Sequence, residues 1–406
     1  MSINFGEGGS AKCVLVPPFK CSGIKINNIN NYVSKIALLD IEQKDSIENY
    51  ILFNEYNIGE YLRKNVSKSK INKYYSLVEF YCILNYDEFD DKTKNECNLE
   101  PSKTYIILYS RNGSCNTLKV NDNIIVNNNN AKITRILDDN MYEININKYT
   151  YKINKNDINR YCGNLSNYYS YYMCFNTLDL FRKNMKHLIN GLALLSINNI
   201  VHTDIKLENI VCDKNGHLRI IDYGGAINLK DNFNKSELCL LLDKNIEQKK
   251  KLYNTIKTYT HGYVPPEVII FLKIMYYDIY NLPVNMFDII DELNKFKFNE
   301  DLSYLINLII ENKQYLYNNF FCNETLIFKF DIYSLGIVFK KIYEDIKKNI
   351  NIYDSNLEDL INNMTNLNYE KRLTYNQIRT HDFFKKSLSK GKPMNKKLKL
   401  KKTKKK

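Results

Sequence analysis

Several residue types and patterns are missing from this chain of 406 residues. It has no tryptophan, and none of its ten cysteines forms a C-x-x-C pair, which argues against zinc knuckles and redox dithiols. No apolar run reaches the roughly 18 residues of a membrane span, and the amino terminus lacks the basic start and apolar stretch of a secretory signal. We therefore expect an intracellular protein in a reducing compartment, with most cysteines acting as small core residues.

Positive charge is concentrated at the carboxyl terminus. The net charge is +13, but residues 385–406 contain twelve lysines and no acidic residue, so the rest of the chain has 46 basic and 45 acidic residues. A block of like charge repels itself, and we expect this tail to be disordered. It could bind nucleic acid, an anionic membrane, an acidic protein or a nuclear import receptor, or be no more than a solvated tail.

Two short polar loops each follow an apolar, strand-like run. Residues 202–209 read H-T-D-I-K-L-E-N, and residues 222–224 read D-Y-G. Together they supply one potential base, one cation and two oxygen ligands, and phosphoryl transfer needs such groups for positioning and charge neutralisation. The order H-x-D-x-K-x-x-N and then D-Y-G resembles the catalytic and metal-binding loops of eukaryotic-type Ser/Thr protein kinases.

The resemblance implies a role for each polar residue of these loops. Asp204 is expected to act as the catalytic base that accepts or orients the proton of the substrate hydroxyl, and Lys206 to lie near the γ-phosphate of ATP. Asn209 and Asp222 are expected to hold Mg²⁺, a hard cation that prefers oxygen ligands. The implied cofactors are therefore ATP and Mg²⁺, and the implied substrates are proteins.

Landmarks farther along the chain match the same family. Residues 260–267 read T-H-G-Y-V-P-P-E and resemble the segment that ends in Ala-Pro-Glu in kinases. Within it, Thr260 is expected to contact both Asp204 and Lys206. That contact favours serine or threonine over tyrosine as the phosphate acceptor.

The resemblance also implies structural residues of the large lobe. Residues 331–336 read D-I-Y-S-L-G and resemble the start of the central helix of that lobe. Its first residue, Asp331, is expected to hold the backbone around His202. Glu267 is expected to pair with Arg372 in a buried ion pair, which tolerates the loss of neither partner.

A glycine-rich run, G-E-G-G-S, occupies residues 6–10. Glycine lets backbone N–H groups approach phosphate oxygens without an intervening side chain. Two registers are open: G-x-G-x-x-A beginning at Gly6, or a loop in which Gly9 is the central glycine and Lys12 replaces the last one. We favour the second, because residues 13–21 (C-V-L-V-P-P-F-K-C) resemble a run in kinases of large nucleocytoplasmic DNA viruses. Either register departs from the full family pattern.

A strand and a helix follow the glycine-rich run. Residues 32–36 resemble the kinase strand whose lysine binds the α- and β-phosphates, and strand alternation places Val33 and Lys35 on one face. Glu55 is the expected ion-pair partner of Lys35, because apolar residues follow it at helical spacing. Its rivals are Glu48 and Glu60. The candidate nucleotide-binding residues are Gly8, Gly9, Ser10, Val14, Val33, Lys35, Glu55 and Val211.

The resemblance implies an α+β, bilobal protein-kinase-like fold, with a small β-rich lobe containing one key helix and a large, mostly helical lobe. Alternating runs between Asn-rich turns predict a β-rich insertion after the hinge, and helical periodicity predicts a second insertion. We expect a kinase domain at residues 1–384 and a tail at 385–406. Within the domain, the small lobe spans 1–113, the β-rich insertion 114–165 and the large lobe 166–384. The helical insertion at 272–324 belongs to the large lobe.

The favoured function is that of a monomeric Ser/Thr protein kinase that resembles those encoded by large DNA viruses, with an AT-rich protist as the alternative source. A viral protein would act in the host cytoplasm or virion, and the basic tail also allows the nucleus. The alternative is a pseudokinase or scaffold that acts through the insertions and the tail. All the catalytic side chains named above are retained, which argues against that alternative, because folding alone does not demand them. A small-molecule phosphotransferase ranks last, since that class lacks a peptide-binding segment such as residues 260–267.

Thr203 stands where many kinases carry an arginine that reads a phosphate on the activation segment. Phosphorylation of that segment is therefore not expected to be the main switch. Treatment with a phosphatase should leave most of the activity in place, measured as transfer of labelled phosphate from ATP to protein before and after treatment. A large loss of activity would contradict this prediction.

Overall fold

The computed structural model of the protein describes most of both lobes. The glycine-rich run at 6–10, residues 231–245 and the tail beyond residue 385 lie outside the described residues. The described residues are 2–3, 11–15, 18–29, 32–42, 46–111, 123–126, 129–137, 141–146, 149–154, 163–166, 174–212, 216–230, 246, 249–250, 253–254, 260–295, 306, 324–350 and 353–385.

The small lobe is built on an antiparallel sheet. Its strands are β1 (Ser2–Ile3), β2 (Ala11–Leu15), β3 (Tyr32–Leu39), β4 (Val78–Asn85) and β5 (Thr104–Arg111). Their spatial order is β1-β2-β3-β5-β4, so β3 and β5 lie at the centre. In β3, Ser34 and Ile36 are fully buried. Because side chains alternate along a strand, Val33 and Lys35 share the opposite, less buried face.

One long helix, α1 (Ile47–Asn65), packs on this sheet. Ser46 caps its amino end, because Ser46 Oγ accepts the N–H of Asn49 at 3.2 Å. Ile58 and Leu62 lie one turn apart and belong to the core that continues into the large lobe. Their burial orients α1 between the lobes. Two short helices, α2 (Lys68–Tyr74) and α3 (Asp91–Glu96), lie on either side of β4 in the sequence.

Four cysteines of the small lobe form two disulfides. Cys13 is bonded to Cys97 and Cys21 to Cys82, with Cα–Cα distances of 5.2 and 6.6 Å, which lie in the range that disulfides span. These four cysteines lie in or against the core of the small lobe, as expected of most cysteines, but they are bonded in pairs. The partners are 84 and 61 residues apart in the chain, so no local pattern reveals the pairing.

Four strands form a separate antiparallel meander in the segment expected to be the first insertion. They are β6 (Asn123–Val126), β7 (Asn129–Ile136), β8 (Met141–Ile146) and β9 (Tyr149–Asn154), paired in that order. Ile144 is buried, whereas Tyr149 of the edge strand is 69% exposed. The strands coincide with the alternating runs of the sequence, because period-two patterning is a local signal.

The large lobe is mostly helical. Short strands flank its loops and pair as β10-β12-β13 and β11-β14 in two small sheets: β10 (Gly163–Asn164), β11 (Ile200–Val201), β12 (Ile210–Cys212), β13 (Leu218–Ile220) and β14 (Ile227–Asn228). Its main helices are α4 (Leu178–Ile197), α5 (Pro266–Ile279), α6 (Met286–Lys295), α7 (Glu324–Ile350), α8 (Ser355–Met364), α9 (Tyr375–Thr380) and α10 (Asp382–Lys385).

Helices α4 and α7 form the centre of the large lobe. The rings of Phe181 in α4 and Phe339 in α7 lie 6.1 Å apart, and both side chains are buried. Next to α4, Cys174 and Cys212 are buried with their Sγ atoms 2.7 Å apart. Among the described residues, no helix combines the length and apolar character needed to cross a membrane.

Helix α5 continues without a break across residue 272, where the second insertion was expected to begin. The expected boundary therefore falls inside a helix, and the extent of the second insertion stays a prediction. Most residues of this apolar helix are buried against α6 and neighbouring parts of the large lobe. The residues before and after position 272 therefore form one continuous helix. Most of the expected insertion beyond residue 295 lies outside the described residues.

A buried ion pair joins α5 to the segment after α8. Arg372 contacts the two carboxylate oxygens of Glu267 at 2.5 and 3.1 Å, and the two side chains are 0% and 2% exposed. Arg372 also donates to the carbonyls of Asn366 and Lys329, at 3.0 and 3.2 Å. Because the guanidinium has several partners, its desolvation is compensated.

Replacing Arg372 with leucine should lower the free energy of unfolding by about 3–5 kcal/mol, because Glu267 would remain buried without a counter-charge. Urea denaturation followed by circular dichroism measures the loss. Lys347→Leu is the control, since Lys347 pairs with Glu358 at the surface, and this change should leave stability nearly unaltered. Equal stabilities for Arg372→Leu and the unaltered protein would show that the buried pair is not needed.

Candidate active site

A buried carboxylate of α7 holds the loop between β11 and β12. Asp331 is 1% exposed, and its oxygens accept the backbone N–H groups of His202 at 2.8 Å and Thr203 at 3.0 Å. Burial raises the pKa of Asp331 to about 7, and the two N–H donors oppose that rise. The loop is therefore tied to the core helix at its first two residues.

Asp204, Lys206 and Thr260 form a closed set of polar contacts. Thr260 Oγ1 donates to Asp204 Oδ1 at 2.6 Å. Lys206 Nζ lies 2.8 Å from Thr260 Oγ1 and 2.7 Å from Asp204 Oδ2. Asn209 Nδ2 donates to the carbonyl and to Oδ2 of Asp204, at 2.9 and 3.0 Å. The loop 202–209 thus meets the segment 260–267 at one carboxylate, although more than fifty residues separate them.

Lys35 of β3 lies between two carboxylates. Its Nζ is 3.1 Å from Glu55 Oε2 and 3.5 Å from Asp222 Oδ1. Burial lowers the pKa of Lys35, but the charges of Asp222 and Glu55 outweigh it and leave that pKa raised. Lys35 in turn lowers the pKa of Asp222, whereas burial raises the pKa of Glu55 against the attraction of Lys35. The ammonium group therefore stays charged and links the sheet, α1 and the D-Y-G loop.

Glu48 and Glu60, the two rivals of Glu55, lie elsewhere on α1. Glu48 is exposed in the first turn, and Glu60 contacts Arg63 at 3.0 Å. Glu55, by contrast, is 8% exposed. The rotation of the helix, set by its buried apolar residues, decides which glutamate reaches Lys35.

Asn209 and Asp222 offer the oxygen atoms that Mg²⁺ prefers. Both hydrogen bonds of the Asn209 side chain go through Nδ2, so its Oδ1 stays an acceptor. Asp222 is ionised at neutral pH, because Lys35 lowers its pKa, and its side chain is 39% exposed. Two protein oxygens suit an ion that is also held by substrate phosphates. In the described part of the chain, no group of three or more His, Cys, Asp or Glu side chains forms an all-protein metal site.

The aromatic residue of the D-Y-G loop is buried between the lobes. The Tyr223 ring is 1% exposed, and its centroid lies 4.9 Å from that of His202 and 6.2 Å from that of Tyr75. Its hydroxyl donates to the carbonyl of Ile220 at 3.3 Å. Burial lowers the pKa of His202, which favours the neutral ring. The hydroxyl of this buried tyrosine therefore has a partner.

The candidate nucleotide-binding residues are only partly described. Val14, Val33 and Val211 are each half-buried, and Val14 pairs in register with Lys35 across β2 and β3. Val211 lies on β12, two residues after Asn209. Gly8, Gly9 and Ser10 lie outside the described residues, and their contact with phosphates stays a prediction.

Two residues beside the site had no place in the sequence motifs. Asn54 directly precedes Glu55 and donates to backbone carbonyls of the D-Y-G loop. Lys341 of α7 lies 3.7 Å from the ring centroid of Tyr263, within the segment 260–267. The contact of Asn54 joins residues about 170 positions apart, so no local pattern signals it. Lys341 has the pattern of an ordinary surface lysine on a helix, so its contact appears only in the fold.

Comparison with known proteins agrees with this geometry. The family model described as the protein kinase domain matches residues 158–384, which is more than half of the chain. The phosphorylase b kinase gamma catalytic chains (liver/testis isoform) of Rattus norvegicus and Homo sapiens are each 40% identical over 58 residues, 14% of this chain. The serine/threonine-protein kinase ppk31 of Schizosaccharomyces pombe is 33% identical over 70 residues, 17% of this chain and 5% of that protein.

A probable serine/threonine-protein kinase of Dictyostelium discoideum is 31% identical over 100 residues, which is 23% of this chain and 21% of that protein. The chain covers only 14% of the length of the phosphorylase b kinase relatives. Similarity to these whole proteins is therefore confined to short segments.

Replacing Lys35 with methionine should destabilise the protein more at neutral than at acid pH. A carboxylate with a lowered folded pKa, such as Asp222, contributes stability that is present above its unfolded pKa and is lost as pH falls through the folded pKa. Without Lys35, Asp222 and Glu55 repel each other while ionised. The free energy of unfolding in urea should fall by about 1–3 kcal/mol at about pH 7, and by less at about pH 4.

Lys12→Met is the matched control, because Lys12 contacts Glu100 at 2.6 Å on the surface. Its loss of stability should be much smaller at either pH. An equal loss at both pH values for Lys35→Met would mean that the charges of Glu55 and Asp222 are not the cause.

Proposed function

The chain belongs to the protein kinase domain family, and from that membership we propose that it transfers the γ-phosphate of ATP to serine or threonine side chains of protein substrates. The observation that carries the proposal is the contact of Thr260 with both Asp204 and Lys206, at 2.6 and 2.8 Å. It supports an acceptor site built for a small aliphatic hydroxyl. Membership of the family supports the use of ATP and of protein substrates.

The proposed mechanism divides the work among this chain's own residues. Asp204 accepts a hydrogen bond from the acceptor hydroxyl and takes its proton as transfer proceeds. Lys206, held by Asp204 and Thr260, neutralises charge on the transferred phosphoryl group. Lys35, held by Glu55, binds the α- and β-phosphates. Little covalent chemistry is required of the protein, so positioning and charge supply most of the rate enhancement.

Asn209 and Asp222 are the residues proposed to hold Mg²⁺. When bound, the ion neutralises charge on the phosphate oxygens. The ionised carboxylate of Asp222 and the free Oδ1 of Asn209 are the observations that favour this assignment.

The remaining parts of the chain are proposed to select partners rather than to catalyse. The sheet β6–β9, in the insertion at 114–165, exposes Tyr149 and Tyr151 on one strand and supports a docking role. The tail at 385–406 supports attachment to nucleic acid or to an acidic partner. The likeness to kinases of large DNA viruses rests on residues 13–21 and stays a prediction, as does the intracellular location.

The purified protein, incubated with labelled ATP and Mg²⁺, should label casein-like or basic proteins in acid-stable, alkali-labile form. Asp204→Asn and Asp222→Ala should each lower the rate by about 100-fold or more, because a positioned base and a metal ligand are removed. Asp359→Asn is the control, since Asp359 contacts His381 on the surface, and this variant should keep the full rate.

The opposite result would favour a different function. No transfer to any acceptor, together with no shift of the melting temperature on adding ATP and Mg²⁺, would support a scaffold that acts through the insertions and the basic tail.

A further inference from the structure

The D-Y-G loop is held from the side of α1 by a single amide. Asn54 Nδ2 donates to the carbonyls of Gly224 and Ala226, both at 2.8 Å, and lies 3.4 Å from the carbonyl of Tyr223. Asn54 is 5% exposed. An amide nitrogen carries two hydrogens, so the two short contacts account for both donors and the third is weak.

The remaining carbonyl of the loop is held from the opposite side. Thr203 Oγ1 donates to the carbonyl of Gly225 at 2.7 Å, and Thr203 is 2% exposed. Four successive carbonyls, those of residues 223–226, therefore lie against a donor from α1 or from the catalytic loop. A buried carbonyl that loses its donor costs about 1–3 kcal/mol, so this arrangement strongly favours one path of the backbone after Asp222.

The backbone of the catalytic loop is strained where it makes this contact. Thr203 has φ of 66°, in the left-handed region that a β-branched residue seldom adopts. Its N–H is bound by Asp331 at 3.0 Å and its hydroxyl by Gly225. Asp222 has φ of 63°. Such conformations persist when the surroundings hold them in several ways, and these hydrogen bonds are the restraints.

Helix α1 also lies directly against the loop. A Cβ atom at Gly224 would come within 2.5 Å of Ile51 Cγ2 and 3.2 Å of the Ile51 carbonyl, so only glycine fits there. Ile51, Asn54 and Glu55 are at helical spacings of three and four and share one face of α1. That face therefore contacts both the loop backbone, through Asn54, and Lys35, through Glu55.

We propose that Asn54 and Thr203 are positioning residues that hold residues 223–226 and thereby orient the Asp222 carboxylate toward Mg²⁺. This inference rests on the proposed function. In kinases that carry arginine at the position of Thr203, a phosphate on the activation segment can be recruited to order the site. Here the hydroxyl of Thr203 and the side-chain amide of Asn54 order the loop through hydrogen bonds that need no phosphate. Helix α1 and the loop therefore form one preassembled unit.

Three variants of the full chain test the proposal. Asn54→Leu and Thr203→Val keep the approximate shape and remove the donors, while Thr203→Ser keeps the hydroxyl. Asn184→Leu is the matched control, because Asn184 is also 5% exposed and its Nδ2 also donates to a carbonyl, that of Cys174 at 2.6 Å in the large lobe.

The first measurement is the binding of a fluorescent ATP analogue as Mg²⁺ is titrated. The Mg²⁺ concentration for half-maximal binding should rise about tenfold in Thr203→Val, which loses one buried hydrogen bond, and at least as much in Asn54→Leu, which loses two. Binding without metal should change less than about twofold, since Lys35 keeps its partners. Thr203→Ser and Asn184→Leu should both match the unaltered protein.

The second measurement is amide hydrogen exchange, which does not depend on activity. Exchange in a peptide spanning residues 221–228 should quicken about tenfold in Asn54→Leu and Thr203→Val but not in Asn184→Leu. Unchanged exchange there, an unchanged Mg²⁺ requirement, or equal effects in Asn184→Leu would each overturn the proposal. Binding of ATP with Mg²⁺ but no transfer to protein would instead contradict the proposed function, and the comparison between variants would still decide the positioning role.

Discussion

The conformation of the loop 202–209 depends on one buried carboxylate. Asp331 projects from the core helix α7 and accepts two consecutive N–H groups, those of His202 and Thr203. Unpaired N–H groups at these buried positions would be costly, so the carboxylate dictates how the chain leaves β11. It also holds Thr203 in its left-handed conformation, and Asp204 follows directly. The geometry of the site thus derives from the long central helix α7 of the large lobe.

The other polar residues of the site are held together by ion pairs between lysines and carboxylates. Lys35 contacts Glu55 of α1 and Asp222 of the loop after β13. Lys206 contacts Asp204 within the loop 202–209. Buried charges need such partners. In a phosphoryl-transfer enzyme the same arrangement keeps cations in place without reorganisation when a substrate's phosphates arrive. Stability and proposed function therefore use the same contacts, and the contacts of Asn54 and Thr203 extend them to the backbone after Asp222.

Much of this could be predicted from the sequence. The α+β fold followed from the resemblance of the motifs and their order, and the four strands β6–β9 followed from alternation. The positions of Asp204, Asn209 and Asp222 followed from spacing within two short loops. The disulfides could not be predicted, because C-x-x-C spacing is a local signal and these cysteines are 61 and 84 residues apart. The bounds of the second insertion stay a prediction, and its expected start at residue 272 lies inside the continuous helix α5.

The sequence by itself determined the local elements and the set of polar residues available to the site, because periodicity and motif spacing act over a few residues. Only the tertiary structure decided which of them meet. The helical spacing of Ile58 and Leu62 already favoured Glu55 over Glu48 and Glu60, but the contact of Glu55 with Lys35 forms only when α1 packs on the sheet. The contact of Asn54 with a loop about 170 residues away depends on the packing of two lobes. Such long-range contacts depend on burial and on the free-energy cost of leaving buried polar groups unpaired. Both depend on residues that are distant in the chain, so a short segment of sequence does not reveal them.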